Sequence, residues 1–137
     1  MPKFQHTLEL AASPERAWEV VGDLAGVTRW IPGCTRAEVD GAGRRVCTFA
    51  DGHVQHERIL GRSDASRSYR YEIESGVPMR NARGRFAVLP RGEGSAVVWE
   101  SEFDADPGSE AQLREMWERA TGMVLDALRR AVEAPSR

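Results

Sequence analysis

No run of apolar residues in the chain approaches the roughly 18 that a membrane-spanning helix needs, so stable membrane insertion is not expected. The opening residues, Met1-Pro2-Lys3-Phe4-Gln5-His6, lack the apolar stretch of a secretory leader, which points to the cytoplasm. Lysine is almost missing: Lys3 is the only one, and the other basic residues are arginines. Lys and Arg number 19 against 21 Asp and Glu, a net charge of −2, which argues against nucleic acid as a partner. The two cysteines, Cys34 and Cys47, read as free thiols rather than a disulfide framework. No glycine-rich loop precedes a helix and no nucleophile elbow is present, so no nucleotide cofactor is called for. His53 and His56, three apart on a strand, point to opposite faces and cannot converge on a metal.

What remains is an ordinary globular composition. With 137 residues, 41% of them hydrophobic and 29% charged, a single domain over 1–137 is expected. Such a chain buries about two-thirds of its unfolded surface, enough for one core and a modest cavity.

Phe4–Leu10 alternates as a strand, β1, with Phe4, His6, Leu8 and Leu10 on one face. Ser13-Pro14 then announces a short helix, since Ser can cap a free N–H and Pro suits the first helical position. Asp23–Trp30 reads as a second short helix, stopped by Pro32-Gly33. Strands follow at Cys34–Val39 (β2), Arg44–Ala50 (β3), His53–Arg62 (β4), Ser68–Ser75 (β5), Met79–Leu89 (β6) and Ser95–Asp104 (β7). Leu113, Met116, Trp117, Ala120, Val124, Leu128 and Ala131 keep helical spacing through a long final helix, Ser109–Glu133, with Pro135 as its stop. Consecutive strands on hairpin-length links cannot be parallel. The economical arrangement is an α+β fold: a curved, seven-stranded antiparallel sheet wrapped around the last helix, with a ligand-sized space between them.

Ala12-Ser13-Pro14-Glu15-Arg16-Ala17-Trp18, with Asp23-Leu24 and Trp30-Ile31-Pro32 beyond it, resembles the opening of the START/Bet v 1-like (SRPBCC) superfamily. Glu57-Arg58-Ile59-Leu60 and Val97–Phe103 fit the same pattern, and nearly the whole chain is covered. The closest group is the bacterial polyketide cyclase/dehydrase-like family. From Glu57 onward the chain also resembles the plant abscisic-acid receptors. The resemblance implies the helix-grip fold and an apolar cavity. The receptors carry a ligand-covering loop between β3 and β4, where this chain has only Asp51-Gly52.

Hairpin registers indicate which side chains face that cavity. With Asp51-Gly52 as a two-residue turn, Val46 pairs with Glu57 and Thr48 with Gln55. The β4–β5 link places Ile59 opposite Tyr71 and Glu57 opposite Ile73, so Glu57 shares a face with Tyr69 and Tyr71. In β2–β3, Arg36 faces Cys47. On β6, Ala82, Gly84, Phe86 and Val88 read as concave. Strand β7 offers two readings. Hydrophobicity turns Trp99 inward, whereas a five-residue turn over Pro90–Gly94 pairs Gly84 with Glu100 and turns Glu100 inward. The register reading is preferred here, and a glutamate at the matching receptor position lines the pocket. Trp99 would then stack on Arg85 at the convex face, and Phe49 would also lie on that side. Arg80, Arg83 and Arg85 read as a salt-paired outer face rather than a phosphate site.

These placements yield candidate chemistry. A carboxylate in an apolar pocket can exchange a proton near neutral pH, which nominates Glu57 and Glu100. His6, on the strand beside β7, could pair with Glu100 or Glu102. Tyr71 could stabilise an oxyanion. Trp30, Tyr69, Phe86, Leu113, Trp117, Thr121 and Val124 are the ligand-binding candidates. Two functions are carried forward. One is cyclisation or dehydration of a small hydrophobic, polyketide-like carbonyl compound by acid/base chemistry without metal or cofactor. The other is a non-catalytic carrier of a lipid or hydrophobic metabolite. The sequence leaves the oligomeric state open.

Overall fold

The computed structural model describes residues 2–134; Met1 and residues 135–137, including the Pro135 expected to stop the last helix, lie outside the described residues. The elements are β1 (Lys3–Leu10), α1 (Pro14–Val21), a 3-10 segment Leu24–Arg29, β2 (Cys34–Val39), β3 (Arg44–Phe49), β4 (Val54–Ser63), β5 (Ser68–Ser75), β6 (Arg80–Arg91), β7 (Gly94–Asp104) and α2 (Glu110–Glu133). They form one seven-stranded sheet in the order β1-β7-β6-β5-β4-β3-β2, with antiparallel neighbours throughout. This is the helix-grip fold that the family resemblance implies.

Local chemistry explains the element ends. The Ser13 hydroxyl accepts from the Arg16 N–H at 3.1 Å and Pro14 opens α1. The Arg16 side chain then reaches the far end of α2, where Nε donates to the Val132 carbonyl at 3.1 Å and Nη2 to those of Ala131 and Ala134 at 3.3 and 3.1 Å. One guanidinium thus satisfies carbonyls that a helix C-terminus leaves without partners.

The core follows the sheet's concave face. Its larger cluster holds Leu8, Leu10, Val20, Val21, Tyr69, Phe86, Val88, Val97 and Trp99 against Val124, Leu128 and Val132 of α2. A smaller one gathers Phe4, Met79, Ala82 and Phe103, with Leu113 and Trp117 packed on it. Helix α2 is buried only along its second half, at Thr121, Val124, Leu128 and Val132. In its first half, Glu110, Leu113 and Trp117 are half-buried and the other side chains more exposed.

Three hairpins depart from the expected register by one residue. In β3–β4, the Phe49 N–H donates to the His53 carbonyl at 2.9 Å, so the loop is Ala50-Asp51-Gly52 with Gly52 at φ +93. Arg45 therefore pairs with Glu57, and Val46 pairs with His56. In β6–β7, Arg91 pairs with Gly94 across a two-residue turn, Gly92-Glu93, with Gly92 at φ +56. Glycine at the first central position suits a type II′ hairpin. Arg85 consequently faces Glu100, and Phe86 faces Trp99. Because side chains alternate, each slip exchanges a strand's two faces. Trp99 and Phe49 turn inward, and Glu100 turns outward. In β2–β3 a bulge between Cys34 and Arg36 places Ala37, not Arg36, opposite Cys47. The β4–β5 register is as expected, with Glu57 opposite Ile73 and Ile59 opposite Tyr71.

Candidate functional site

A cavity of about 290 Å³ lies between the concave sheet and the middle of α2, at the lower end of the range for small-molecule pockets. Its aromatic floor is Phe86 and Trp99, stacked at 4.9 Å between ring centroids, with Trp30 edge-on to Phe86 at 5.3 Å and Trp117 edge-on to Trp99 at 5.9 Å. Ile73, Val77, Thr121, Met123 and Val124 complete most of the apolar wall. The Trp99 indole donates to the Tyr71 hydroxyl at 2.8 Å. An indole N–H can only donate, so Tyr71 is the acceptor and keeps its own proton available. Burial holds that phenol above its ordinary range, with the Trp99 bond opposing. Gly84 makes the arrangement possible: a Cβ there would meet the Tyr71 hydroxyl and lie 2.6 Å from the Glu100 carbonyl oxygen.

One wall is polar. Arg45 and Glu57, side chains 5% and 6% exposed, sit directly opposite on β3 and β4. Arg45 Nη2 and Nε donate to Glu57 Oε1 at 2.6 and 3.1 Å. Nη1 donates to the Leu24 carbonyl at 3.1 Å, and the guanidinium lies 5.7 Å from the Tyr69 ring centroid. The other carboxylate oxygen, Oε2, accepts from Gln55 Nε2 at 2.6 Å and from the Cys47 thiol at 3.9 Å. Burial and the Glu57 charge push the Cys47 thiol up to about 12, against the pull of Arg45. The Trp30 indole nitrogen and the Thr121 hydroxyl, both on lining residues, are buried without a hydrogen-bond partner. Such groups in a folded protein call for an explanation.

The structure brings together Glu57, Tyr71, Trp30, Phe86, Trp117, Thr121 and Val124 around the cavity. It does not bring in the others. Glu100 is corrected to the convex face, where it pairs with Arg85 at 3.7 Å and is 52% exposed. His6 contacts neither Glu100 nor Glu102; its Nε2 lies 3.2 Å from Glu118 of α2, away from the lining. Tyr69 is fully buried behind the lining, and burial raises its phenol despite the Arg45 charge. Leu113 packs on the Phe4–Phe103 cluster instead. Trp99 does not touch Arg85 as expected but lies under the cavity. The convex arginines are salt-paired: Arg80 to Asp106 at 2.8 Å, Arg83 to Glu102 at 3.0 Å, Arg85 to Glu100.

Arg45, Cys47 and Gln55 are polar site residues that sequence reasoning missed, and Phe49 and Trp99 are lining residues it expected on the convex side. A signal was available. Gly52 also suits a three-residue loop with glycine in the left-handed region, and that register turns Phe49 inward with Arg45 and Cys47. Among the described residues no group of three or more His, Cys, Asp or Glu side chains could hold a metal, and no helix is long and apolar enough to cross a membrane.

A seven-stranded sheet gripping one helix, with an aromatic-floored cavity between them, defines the helix-grip class of cavity proteins. The chain belongs to the polyketide cyclase/dehydrase and lipid transport family, whose model matches residues 1–133. Among solved structures it is similar to the protein XoxI from Bacillus cereus, at 24% identity and a TM-score of 0.87 over 96% of each chain. It is also similar to the di-domain ARO/CYC BexL, at 20% identity and a TM-score of 0.84, with 97% of this chain spanning 47% of that one. Norcoclaurine synthase from Thalictrum flavum, solved with dopamine and hydroxybenzaldehyde, matches at 20% identity and a TM-score of 0.75, over 99% of this chain and 89% of that one. No curated protein matches the chain in sequence.

Proposed function

We propose that the chain binds a compact, neutral, largely apolar carbonyl compound, polyketide-like or related, in the 290 Å³ cavity and moves a proton on it through Glu57. The observation that carries this reading is a buried carboxylate with one oxygen fixed by Arg45, set in a cavity that is otherwise mostly apolar. Arg45 and Glu57 cancel each other's charge, so a neutral ligand enters without leaving a net charge buried. Glu57 takes a proton from the carbon beside the carbonyl. The developing enolate oxygen is stabilised by the Tyr71 O–H, the Trp30 N–H or the Thr121 hydroxyl. In a dehydration, the same proton then leaves with the departing hydroxide as water. Membership in a family named for cyclase and dehydrase activity supports the reaction class.

A second reading, binding without turnover, is favoured by the occupancy of Glu57. Both of its oxygens already hold donors, from Arg45, Gln55 and Cys47. Deuterium exchange at the carbon beside the carbonyl of 1-tetralone, followed by proton NMR in heavy water, separates the two. The acid/base reading expects faster exchange with the protein than with buffer, and loss of that gain in Glu57→Gln. Binding of the probe without faster exchange would leave the carrier reading standing.

A further inference from the structure

The two oxygens of Glu57 are not equivalent. Oε1 receives two N–H bonds from Arg45, at 2.6 and 3.1 Å, from a guanidinium itself anchored on the Leu24 carbonyl. That oxygen is held by the fold. Oε2 is held by lesser means: the Gln55 amide at 2.6 Å and a thiol at 3.9 Å. Thiols are weak donors. Gln55 lies two residues before Glu57 on the same face of β4, is only half-buried, and lines the cavity. Its neighbours toward the hairpin tip are Phe49, also half-buried and lining, and the exposed His53. The amide therefore reaches Oε2 from the outer side of the polar patch, while Arg45 holds the carboxylate from across the strand pair. A carboxylate offers about four acceptor positions. Arg45 takes two on Oε1, and Gln55 and the Cys47 thiol take the two on Oε2, so an incoming donor must displace one of that second pair.

We infer that Glu57 Oε2 is the recognition point of the cavity, that the Gln55 amide holds the place of a ligand donor, and that the ligand is a neutral aromatic molecule whose hydroxyl displaces Gln55. The inference rests on the reading of the cavity as the ligand site and adds the chemical group that site selects. An acceptor-only carboxylate rejects a ligand carboxylate and gains nothing from a bare hydrocarbon. Aromatic rings are favoured because Phe86, Trp99, Trp30 and Trp117 form the surrounding surface. Gln55 acts as a positioning and specificity residue. It keeps Oε2 paired and sets a threshold that only a competing donor overcomes.

The test is a comparison of naphthalene, 2-naphthol and 2-naphthoate by quenching of tryptophan fluorescence, since Trp30, Trp99 and Trp117 all line the cavity. The full chain is used at pH 7, where 2-naphthol is neutral. A hydrogen bond to a charged acceptor predicts that 2-naphthol binds about tenfold or more tightly than naphthalene, and that 2-naphthoate binds more weakly than either. In Gln55→Ala the displaced competitor is gone, so the ratio of 2-naphthol affinity to naphthalene affinity grows about threefold or more. Gln55→Met, which keeps the bulk without the amide, gives the same change if the alanine variant does not fold. Equal binding of naphthalene and 2-naphthol overturns the recognition point and leaves the cavity reading intact. A Gln55 variant that shifts both probes equally reduces Gln55 to packing and overturns its assigned role. Binding of neither aromatic probe overturns the cavity reading itself, and this inference with it.

Discussion

Arg45 and Glu57 face each other across one rung of the β3–β4 hairpin, both nearly inaccessible, with Nη2 2.6 Å from Oε1. Around them are Tyr69, Cys47, Gln55 and the Leu24 carbonyl. The pair is thus the hub of a polar wall inside a mostly apolar core.

Removing either partner leaves a buried charge without its counterpart. Arg45→Met or Glu57→Leu alone is expected to destabilise the fold by about 3–5 kcal/mol. The double variant, which removes both charges, should recover most of that loss. Urea unfolding of the three variants measures the difference. A double variant no more stable than the singles would show that lost packing, rather than an unpaired charge, causes the destabilisation.

Gly84 and Gly122 predict opposite signs for the same substitution. Gly84→Ala pushes a methyl group against the Tyr71 hydroxyl and the Glu100 carbonyl. It should cost about 1–3 kcal/mol and shift the fluorescence of Trp99, which is bonded to Tyr71. Gly122 sits inside α2 with nothing within 4 Å of an added Cβ. Gly122→Ala should stabilise by about 0.5–1 kcal/mol, the helix preference for alanine. Thermal melts of the two variants provide the comparison.

Arg16 joins the first helix to the last. Arg16→Met keeps the stem and removes the donors to Ala131, Val132 and Ala134. A loss of about 1–2 kcal/mol is expected, together with faster amide hydrogen exchange confined to the last turns of α2.

Asp64 gives a pH dependence. The Trp18 indole N–H, bonded at 2.8 Å, and the Arg62 charge hold its carboxyl below the usual aspartate value. A carboxyl depressed in the folded state stabilises above its unfolded pKa of about 3.9, and that contribution fades as pH falls through the folded value. Asp64→Asn should therefore lower the urea midpoint at pH 7 and lower it less at about pH 3. A difference of equal size at both pH values would assign the effect to packing.

The Cys47 thiol, pushed up to about 12, should resist alkylation by iodoacetamide at pH 8 in the folded protein and react readily in urea. Peptide mass spectrometry reads the two rates. Fast modification of the folded chain would contradict its burial.

Much of this site is legible in the sequence. The β4–β5 link fixes the register that sets Glu57 beside Tyr71 and Ile73, and the structure has the same pairs. Strand alternation turns Phe86, and helical spacing Trp117 and Thr121, toward the helix–sheet space, and they line the cavity. Arg45 is not legible. Asp51-Gly52 is compatible with both a two-residue and a three-residue loop, and one residue decides whether Arg45 or Val46 faces Glu57. Glu100 is misplaced for the same reason at the other hairpin. There the hydrophobicity of Trp99 points the right way, and a turn count that is long by three residues points the wrong way.

Element order, the antiparallel sheet and the long amphipathic helix can be read from the chain alone, because periodicity and turn residues are local properties. Tertiary structure decided which face of β3 and β7 meets the helix, since a turn of uncertain length leaves two registers open and only burial of Phe49 and Trp99 selects between them. It also decided that Glu57 has Arg45 as its partner, a contact between strands that no spacing along the chain specifies.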